Sequence, residues 1–98
     1  MEIQEILEKD KPILLDFFSE GCHPCELMRP ILDEVEEFFG SKLEVMRLNI
    51  DQHTSIKREL GIRGVPTLML FCKGTLKWRQ SGVLPSQTIF NTLERCGL

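Results

Sequence analysis

The sequence lacks any apolar run of membrane-spanning length and any concentration of basic residues. Its 98 residues contain no apolar stretch that approaches the roughly 20 residues of a transmembrane helix. The 12 lysines and arginines are outnumbered by 15 aspartates and glutamates, which gives a net charge of −3 and leaves no basic stripe. Because nucleic acids and anionic membranes attract clustered positive charge, we predict neither as a partner.

The first residues also lack the features of a secretory signal. They have no basic start and no apolar run of about 7–15 residues. The four cysteines would suggest two structural disulfides in an oxidising compartment. Without a signal we expect a cytoplasmic protein, unless a leader has been removed. In that reducing compartment a close cysteine pair is more often catalytic or metal-binding.

The chain does contain enough apolar material for one core. Hydrophobic residues make up 42% of the sequence. A length near 100 residues is typical of one domain, and no repeat, low-complexity tract or linker divides the chain, so we predict a single domain over 1–98. A domain this small buries only somewhat over half of its unfolded surface, so its stability should be modest.

Hydrophobic periodicity predicts four helices and four strands in the order α-β-α-β-α-β-β-α. The helices are expected at 1–9, from about Cys22 to Gly40, at 54–60 and after a cap at Ser86, and the strands at 13–18, 43–50, 65–72 and 75–79. The run at 13–18, which is apolar except for Asp16, is typical of a central strand that is covered on both faces. Parallel strands joined by a crossover helix, followed by a tight hairpin at Lys73-Gly74, give a mixed sheet. The fold class is therefore α/β, with a mixed four-stranded sheet between helices on both faces.

The long helix is expected to carry a wide apolar stripe. Three- and four-residue spacing places seven apolar side chains on one face. These side chains are Leu27, Met28, Ile31, Leu32, Val35, Phe38 and Phe39. Pro30 lies inside the helix and should kink it, because proline supplies no N–H for the helical ladder.

The segment Cys22-His23-Pro24-Cys25 stands between a buried strand and the start of this helix. A helix N-terminus has unpaired N–H groups and the positive end of the dipole, and both stabilise a thiolate at Cys22. The thiolate is the nucleophile of disulfide exchange. Pro24 suits the first helical turn, where its missing N–H costs nothing. We therefore predict a redox pair in which Cys22 attacks and Cys25 is the less exposed resolving thiol.

Two structural explanations of the cysteine pair stay open at this point. A structural zinc site needs four ligands, typically two such pairs. Cys72 and Cys96 have no matching spacing, and His23 and His53 are far apart in the sequence. The second explanation is a purely structural disulfide. We predict no metal ligand among these residues.

The motifs, in their order along the chain, resemble the thioredoxin family from about residue 12 onward. The resemblance rests on the segments 15–25, 30–34, 48–52 and 61–68, with Gly74 and Gly82 where the family has glycines. It implies a thioredoxin-like three-layer fold. It also implies a protein thiol–disulfide oxidoreductase that reduces substrate disulfides through a Cys22/Cys25 dithiol–disulfide cycle.

The resemblance assigns site residues beyond the cysteines. Asp16 matches the family's buried carboxylate, which lies under the cysteine pair and helps to move the proton of the resolving thiol. A lone aspartate in an apolar strand should be desolvated, which raises its pKa. Pro66 matches the cis-proline that faces the disulfide, and Val65 would offer backbone groups to a substrate strand. Gly64 is expected to belong to the same substrate-binding segment. The alternatives are an Asp16 that reaches solvent and an ordinary trans Pro66.

Some features depart from the family's pattern. Gly21 stands where many thioredoxins carry tryptophan, and His23 stands where the commonest sequence has glycine. Only about eleven residues precede the first strand, so the family's leading edge strand is expected to be absent. Arg47 occupies a position where lysine is common, and its permanent charge would hold Asp16 more ionised if it reaches that carboxylate.

The implied enzyme needs no cofactor besides its own Cys22–Cys25 disulfide. Its partners would be disulfide-containing proteins and an electron donor of the thioredoxin-reductase type. We expect a monomer that serves electron transport and cell redox homeostasis. Two other functions fit the same fold, namely a more oxidising disulfide exchanger or isomerase and a non-enzymatic binding module.

Overall fold

A computed structural model describes residues 2–98, which form four α-helices, four β-strands and a short 3₁₀ turn at Gly40–Lys42. The helices are α1 (Ile3–Leu7), α2 (His23–Phe39), α3 (Thr54–Glu59) and α4 (Ser86–Arg95), and the strands are β1 (Ile13–Phe18), β2 (Glu44–Asn49), β3 (Thr67–Cys72) and β4 (Thr75–Ser81). The order is the one that the periodicity predicts. The predicted first helix includes Met1, which lies outside the described residues.

The four strands form one mixed sheet with the order β2-β1-β3-β4. β1 pairs in parallel with β2, in a register that places Ile13 opposite Glu44. β3 runs antiparallel to both β1 and β4. Lys73 and Gly74 have φ values of 49° and 82° and form the tight hairpin turn. The predicted α/β fold class is confirmed, and no strand precedes β1 within residues 2–98.

Helices cover both faces of the sheet because side chains alternate along its strands. In β1, Leu15 and Phe17 face one layer, whereas Leu14 faces the other. The first layer contains buried residues of α1 and α3, and the second contains buried residues of α2 and α4. These buried helical residues are Ile3, Ile6 and Ile56 in the first layer and Met28, Leu32, Val35, Phe39, Ile89 and Leu93 in the second. The double covering accounts for the nearly continuous apolar run of β1.

The structure corrects the predicted apolar stripe of α2. Phe38 is 70% exposed, although its neighbour Phe39 is buried. Leu27 is 47% exposed. The sheet and α4 cover only the part of the stripe that is centred on Leu32, so the residues at its margins remain in contact with water.

The ends of several elements also differ from the prediction by one or two residues. β3 begins at Thr67 rather than at residue 65, because Pro66 has no N–H to donate to a neighbouring strand. Ser86 is the first residue of α4 and not its cap, since the cap position is held by Pro85. α2 is continuous through Pro30, and the predicted kink stays a prediction. Of the helices in residues 2–98, none combines the length and the apolarity that a bilayer crossing requires.

Candidate active site

A disulfide joins Cys22 and Cys25 at the N-terminus of α2, with their Cα atoms 5.2 Å apart. Cys22 is the cap residue of the helix, and its Sγ accepts a hydrogen bond from the backbone N–H of Cys25 at 3.2 Å. Cys22 is half-buried, whereas Cys25 is only 3% exposed. The sulfur of Cys22 therefore lies at the positive end of the helix dipole and within reach of solvent, as the sequence predicts.

The residues around the disulfide leave its outer side open. Gly21, His23 and Pro24 are all exposed. Gly21 has a φ of 71°, in the left-handed region that glycine adopts at no steric cost. A tryptophan, which many family members carry at this position, would be strained in that conformation. The surface beside Cys22 is therefore open on the Gly21 side.

Asp16 is buried beneath this loop, in the layer between the sheet and α2. It is 1% exposed and lies two residues after Leu14 on the same face of β1. Burial raises the pKa of Asp16 from 3.8 to about 6, and the nearby charges of Arg47 and Arg29 oppose that rise. The alternative in which Asp16 reaches solvent is wrong.

Arg47 of β2 reaches Asp16, so the carboxylate is paired rather than alone. Arg47 Nε lies 3.6 Å from Asp16 Oδ2. Its Nη2 donates hydrogen bonds to the carbonyl of Arg29 at 2.9 Å and to Asp33 Oδ1 at 3.3 Å. Asp16 Oδ1 and Arg47 Nε have no hydrogen-bond partner within residues 2–98. The charges are thus paired, but their hydrogen-bonding capacity is not filled.

Asp16 and Cys25 line one cavity of about 170 Å³. The other lining residues are Phe18, Glu26, Arg29 and Arg47. A water molecule takes about 30 Å³, so several can enter and bridge groups that do not touch directly. Sequence reasoning missed Arg29, although its position four residues after Cys25 places it on the same face of α2. The cavity offers a route for a proton between Cys25 and Asp16.

The segment before β3 lies at the same end of the strands as the cysteine loop. Phe17 and Thr67 are neighbours across the antiparallel β1–β3 ladder, so the end of β1 and the start of β3 lie side by side. The Val65–Pro66 bond is cis, and the alternative of a trans proline is wrong. Pro66 accepts a hydrogen bond from Gly82 N–H at 2.9 Å.

The hydrogen bonds around this bend do not involve the backbone of Val65. Gly64 C=O accepts from Thr67 Oγ1 at 2.6 Å. Within residues 2–98, neither the N–H nor the C=O of Val65 has a partner. Val65 is half-buried. Its two backbone groups are available to an extended segment of another chain.

The other cysteines lie away from the disulfide. Cys72 and Cys96 are free, half-buried, and packed against the α2–α4 layer. Burial raises the pKa of the Cys72 thiol. In the part of the chain that the structure describes, no group of three or more His, Cys, Asp or Glu side chains is placed to hold a metal ion.

Comparison with known proteins assigns the chain to a family. A family model described as Thioredoxin matches residues 2–95. The chain is 37% identical over 92 residues to a thioredoxin of Rickettsia felis, and the matched region covers 94% of this chain and 88% of that protein. It is 42% identical over 81 residues to a thioredoxin of Pseudomonas aeruginosa, covering 83% and 75% of the two chains, and 36% identical over 92 residues to thioredoxin 1 of Synechococcus elongatus, covering 94% and 86%. The chain therefore belongs to the thioredoxin family and is a thiol–disulfide oxidoreductase.

Proposed function

We propose that the protein reduces disulfides of other proteins, with Cys22 as the attacking group and Cys25 as the resolving group. The Cys22 thiolate attacks one sulfur of the substrate disulfide, and the other substrate sulfur leaves as a thiolate. Cys25, deprotonated, then attacks Cys22, which releases the second substrate thiolate and forms the Cys22–Cys25 disulfide. Two electrons pass to the substrate in this cycle.

The observation that supports these roles most directly is the unequal placement of the two sulfurs. Cys22 caps the helix and is accessible, whereas Cys25 lies in the first turn and is 3% exposed. A large substrate can meet Cys22 but not Cys25. The buried Cys25 thiol is therefore suited to attack the neighbouring Cys22 sulfur and not the disulfide of a substrate protein.

Asp16 is proposed to accept the proton of Cys25 during resolution. With a pKa of about 6, its carboxylate is mostly ionised at neutral pH but is still basic enough to take up a proton. The cavity that both residues line allows one or more waters to carry the proton. Arg47 holds the carboxylate in place by its 3.6 Å ion pair.

Substrates are proposed to bind as an extended segment beside Val65. Its free N–H and C=O can pair with such a segment as with an added strand. Gly64 and Pro66 set the path of the chain there, and Gly21, His23 and Pro24 form the open surface around Cys22. Binding through backbone groups is tolerant of sequence, which suits a reductase of many proteins.

The remaining features of the proposal follow from the family. One domain over 1–98 acts as a monomer without metal or bound cofactor, and its redox group is the Cys22–Cys25 disulfide. Disulfide-containing proteins are the substrates, and an enzyme of the thioredoxin-reductase type supplies electrons. The net charge of −3 supports the absence of nucleic-acid and membrane partners. A cytoplasmic place in electron transport and cell redox homeostasis fits this chemistry.

Insulin reduction tests the proposed activity. The reduced protein should accelerate precipitation of insulin chains by dithiothreitol, and a Cys72→Ser variant, which keeps the redox pair, should do the same. The equilibrium potential against glutathione then separates a reductase from a more oxidising exchanger. Absence of insulin reduction would favour the binding module. A potential as high as that of the oxidising exchangers would favour a protein that forms disulfides in its substrates.

Reduction should change the intrinsic fluorescence little, because the one tryptophan is far from the redox pair. Trp78 lies in β4, opposite Leu70 and three residues before the strand end at Ser81. β3 lies between β4 and β1, so β4 is about 10 Å from β1 across the sheet. Emission spectra before and after dithiothreitol measure the change. A several-fold rise would show that the sulfurs lie close to Trp78, against the structure.

A further inference from the structure

A groove between α2 and α4, which we call the acidic groove, lies on the exposed side of these helices. It has a volume of about 640 Å³ and is lined by Glu34, Glu37, Phe38, Gln87, Phe90 and Glu94. That volume is within the range of natural binding clefts. Phe38 follows Cys22 by sixteen residues of one helix, a rise of about 24 Å. The redox reaction therefore does not use this groove.

Two aromatic rings form the apolar part of the acidic groove. Phe38 is 70% exposed, and its ring meets that of Phe90 edge to face, with centroids 5.0 Å apart. A second edge-to-face contact, also at 5.0 Å, joins Phe38 to the buried Phe39. These contacts hold the exposed ring against its two aromatic neighbours. A partner side chain that covered Phe38 would gain apolar burial.

Carboxylates surround the two rings. Glu34, Glu37 and Glu94 are exposed, and none of them forms an ion pair within residues 2–98. The lining of the groove includes no lysine or arginine. Lys42 lies beyond Phe38, in an adjoining depression that Glu94 also borders. The rim of the groove is therefore strongly negative, and its charges are not neutralised internally.

We propose that the acidic groove docks a basic segment of a partner protein, with an apolar side chain of that segment anchored on Phe38 and Phe90. Charge complementarity selects this occupant, because lysine or arginine side chains can pair with the free carboxylates while the anchor is buried. Two copies joined groove to groove would bring six like charges together. Nucleic acid and anionic membranes would present phosphates to the same carboxylates.

The position of the groove gives the docking a consequence for activity. The partner's segment lies at the far end of α2 from Cys22, so it leaves the cysteine loop and Val65 free. The groove thus serves as a tether that keeps the oxidoreductase beside a partner during turnover. Saturation of the groove should leave the rate of insulin reduction unchanged.

A short amphipathic peptide of leucine and lysine is a suitable probe, with a leucine–glutamate peptide of the same pattern as its counterpart. NMR titration of the isotope-labelled protein should shift the amide signals of Phe38, Phe90 and Glu94 with the lysine peptide alone. Phe38→Ser and Glu37→Lys should each weaken binding by about tenfold. The matched controls are Leu76→Ser, at a side chain 46% exposed on β4, and Glu59→Lys on α3, which should bind like the wild type.

Four results would overturn the proposal. Equal binding of the glutamate peptide would show that charge plays no part, and shifts confined to the cysteine loop would place the contact elsewhere. Self-association that Phe38→Ser abolishes would make a second copy the occupant. Inhibition of insulin reduction by the bound peptide would remove the tethering role. The binding measurement needs no redox activity, so its outcome is independent of the proposed function.

Discussion

The Cys25→Ser variant is expected to accumulate mixed disulfides with substrate proteins, whereas Cys22→Ser is expected to form none. In Cys25→Ser the accessible sulfur still attacks, but no second thiol releases the bound substrate. In Cys22→Ser the remaining thiol is 3% exposed and cannot meet a large substrate. Both variants should reduce insulin at no more than the uncatalysed rate, although for opposite reasons.

Non-reducing electrophoresis followed by mass spectrometry measures the trapped species. The variants are best compared in a Cys72→Ser/Cys96→Ser background, which removes the two free cysteines. In the reduced form of that background protein, iodoacetamide should alkylate Cys22 before Cys25. Faster alkylation of Cys25, or trapping by Cys22→Ser rather than by Cys25→Ser, would reverse the assignment of the two roles.

Most of the fold could be predicted from the sequence because the hydrophobic pattern and the turn residues agree. The run at 13–18 has the composition of a strand that is covered twice, and β1 lies at the centre of the molecule between two layers. Lys73-Gly74 is suited to a hairpin turn that needs positive φ, and both residues have it. Local preference and tertiary packing thus favour the same structure in these segments.

The details that sequence could not supply depend on long-range geometry. Helical periodicity places Phe38 and Phe39 on one stripe, but only the structure shows that α4 and the sheet cover Phe39 and leave Phe38 exposed. Arg47 and Asp16, which form an ion pair, lie on different strands and are 31 positions apart in the sequence. The register of β1 with β2, which sets those residues side by side, depends on the packing of the whole sheet.

Asp16→Asn is expected to stabilise the fold at neutral pH and to slow disulfide reduction. The pKa of Asp16 is raised from 3.8 to about 6, so ionising it in the folded protein costs up to about 3 kcal/mol above pH 6. Asparagine is neutral and removes that cost. The pKa of about 6 already includes the opposing attraction of Arg47, which keeps its hydrogen bond to Asp33 in the variant. We therefore expect a gain of about 1–3 kcal/mol near pH 8.

The pH dependence distinguishes this explanation from a general change in packing. Below the unfolded pKa of 3.8 the aspartate is protonated in both the folded and the unfolded state, so the two proteins should have similar stability. The gain of Asp16→Asn should grow as pH rises through the interval from 3.8 to about 6 and stay constant above it. Urea unfolding of the oxidised proteins across this range measures it. Asp33→Asn is the matched control, because Asp33 binds the same arginine but is 67% exposed and should give no such gain. A variant that is less stable than the wild type near pH 8 would show that the ion pair with Arg47 outweighs the desolvation of Asp16, and the lost proton acceptor should still lower the rate of insulin reduction.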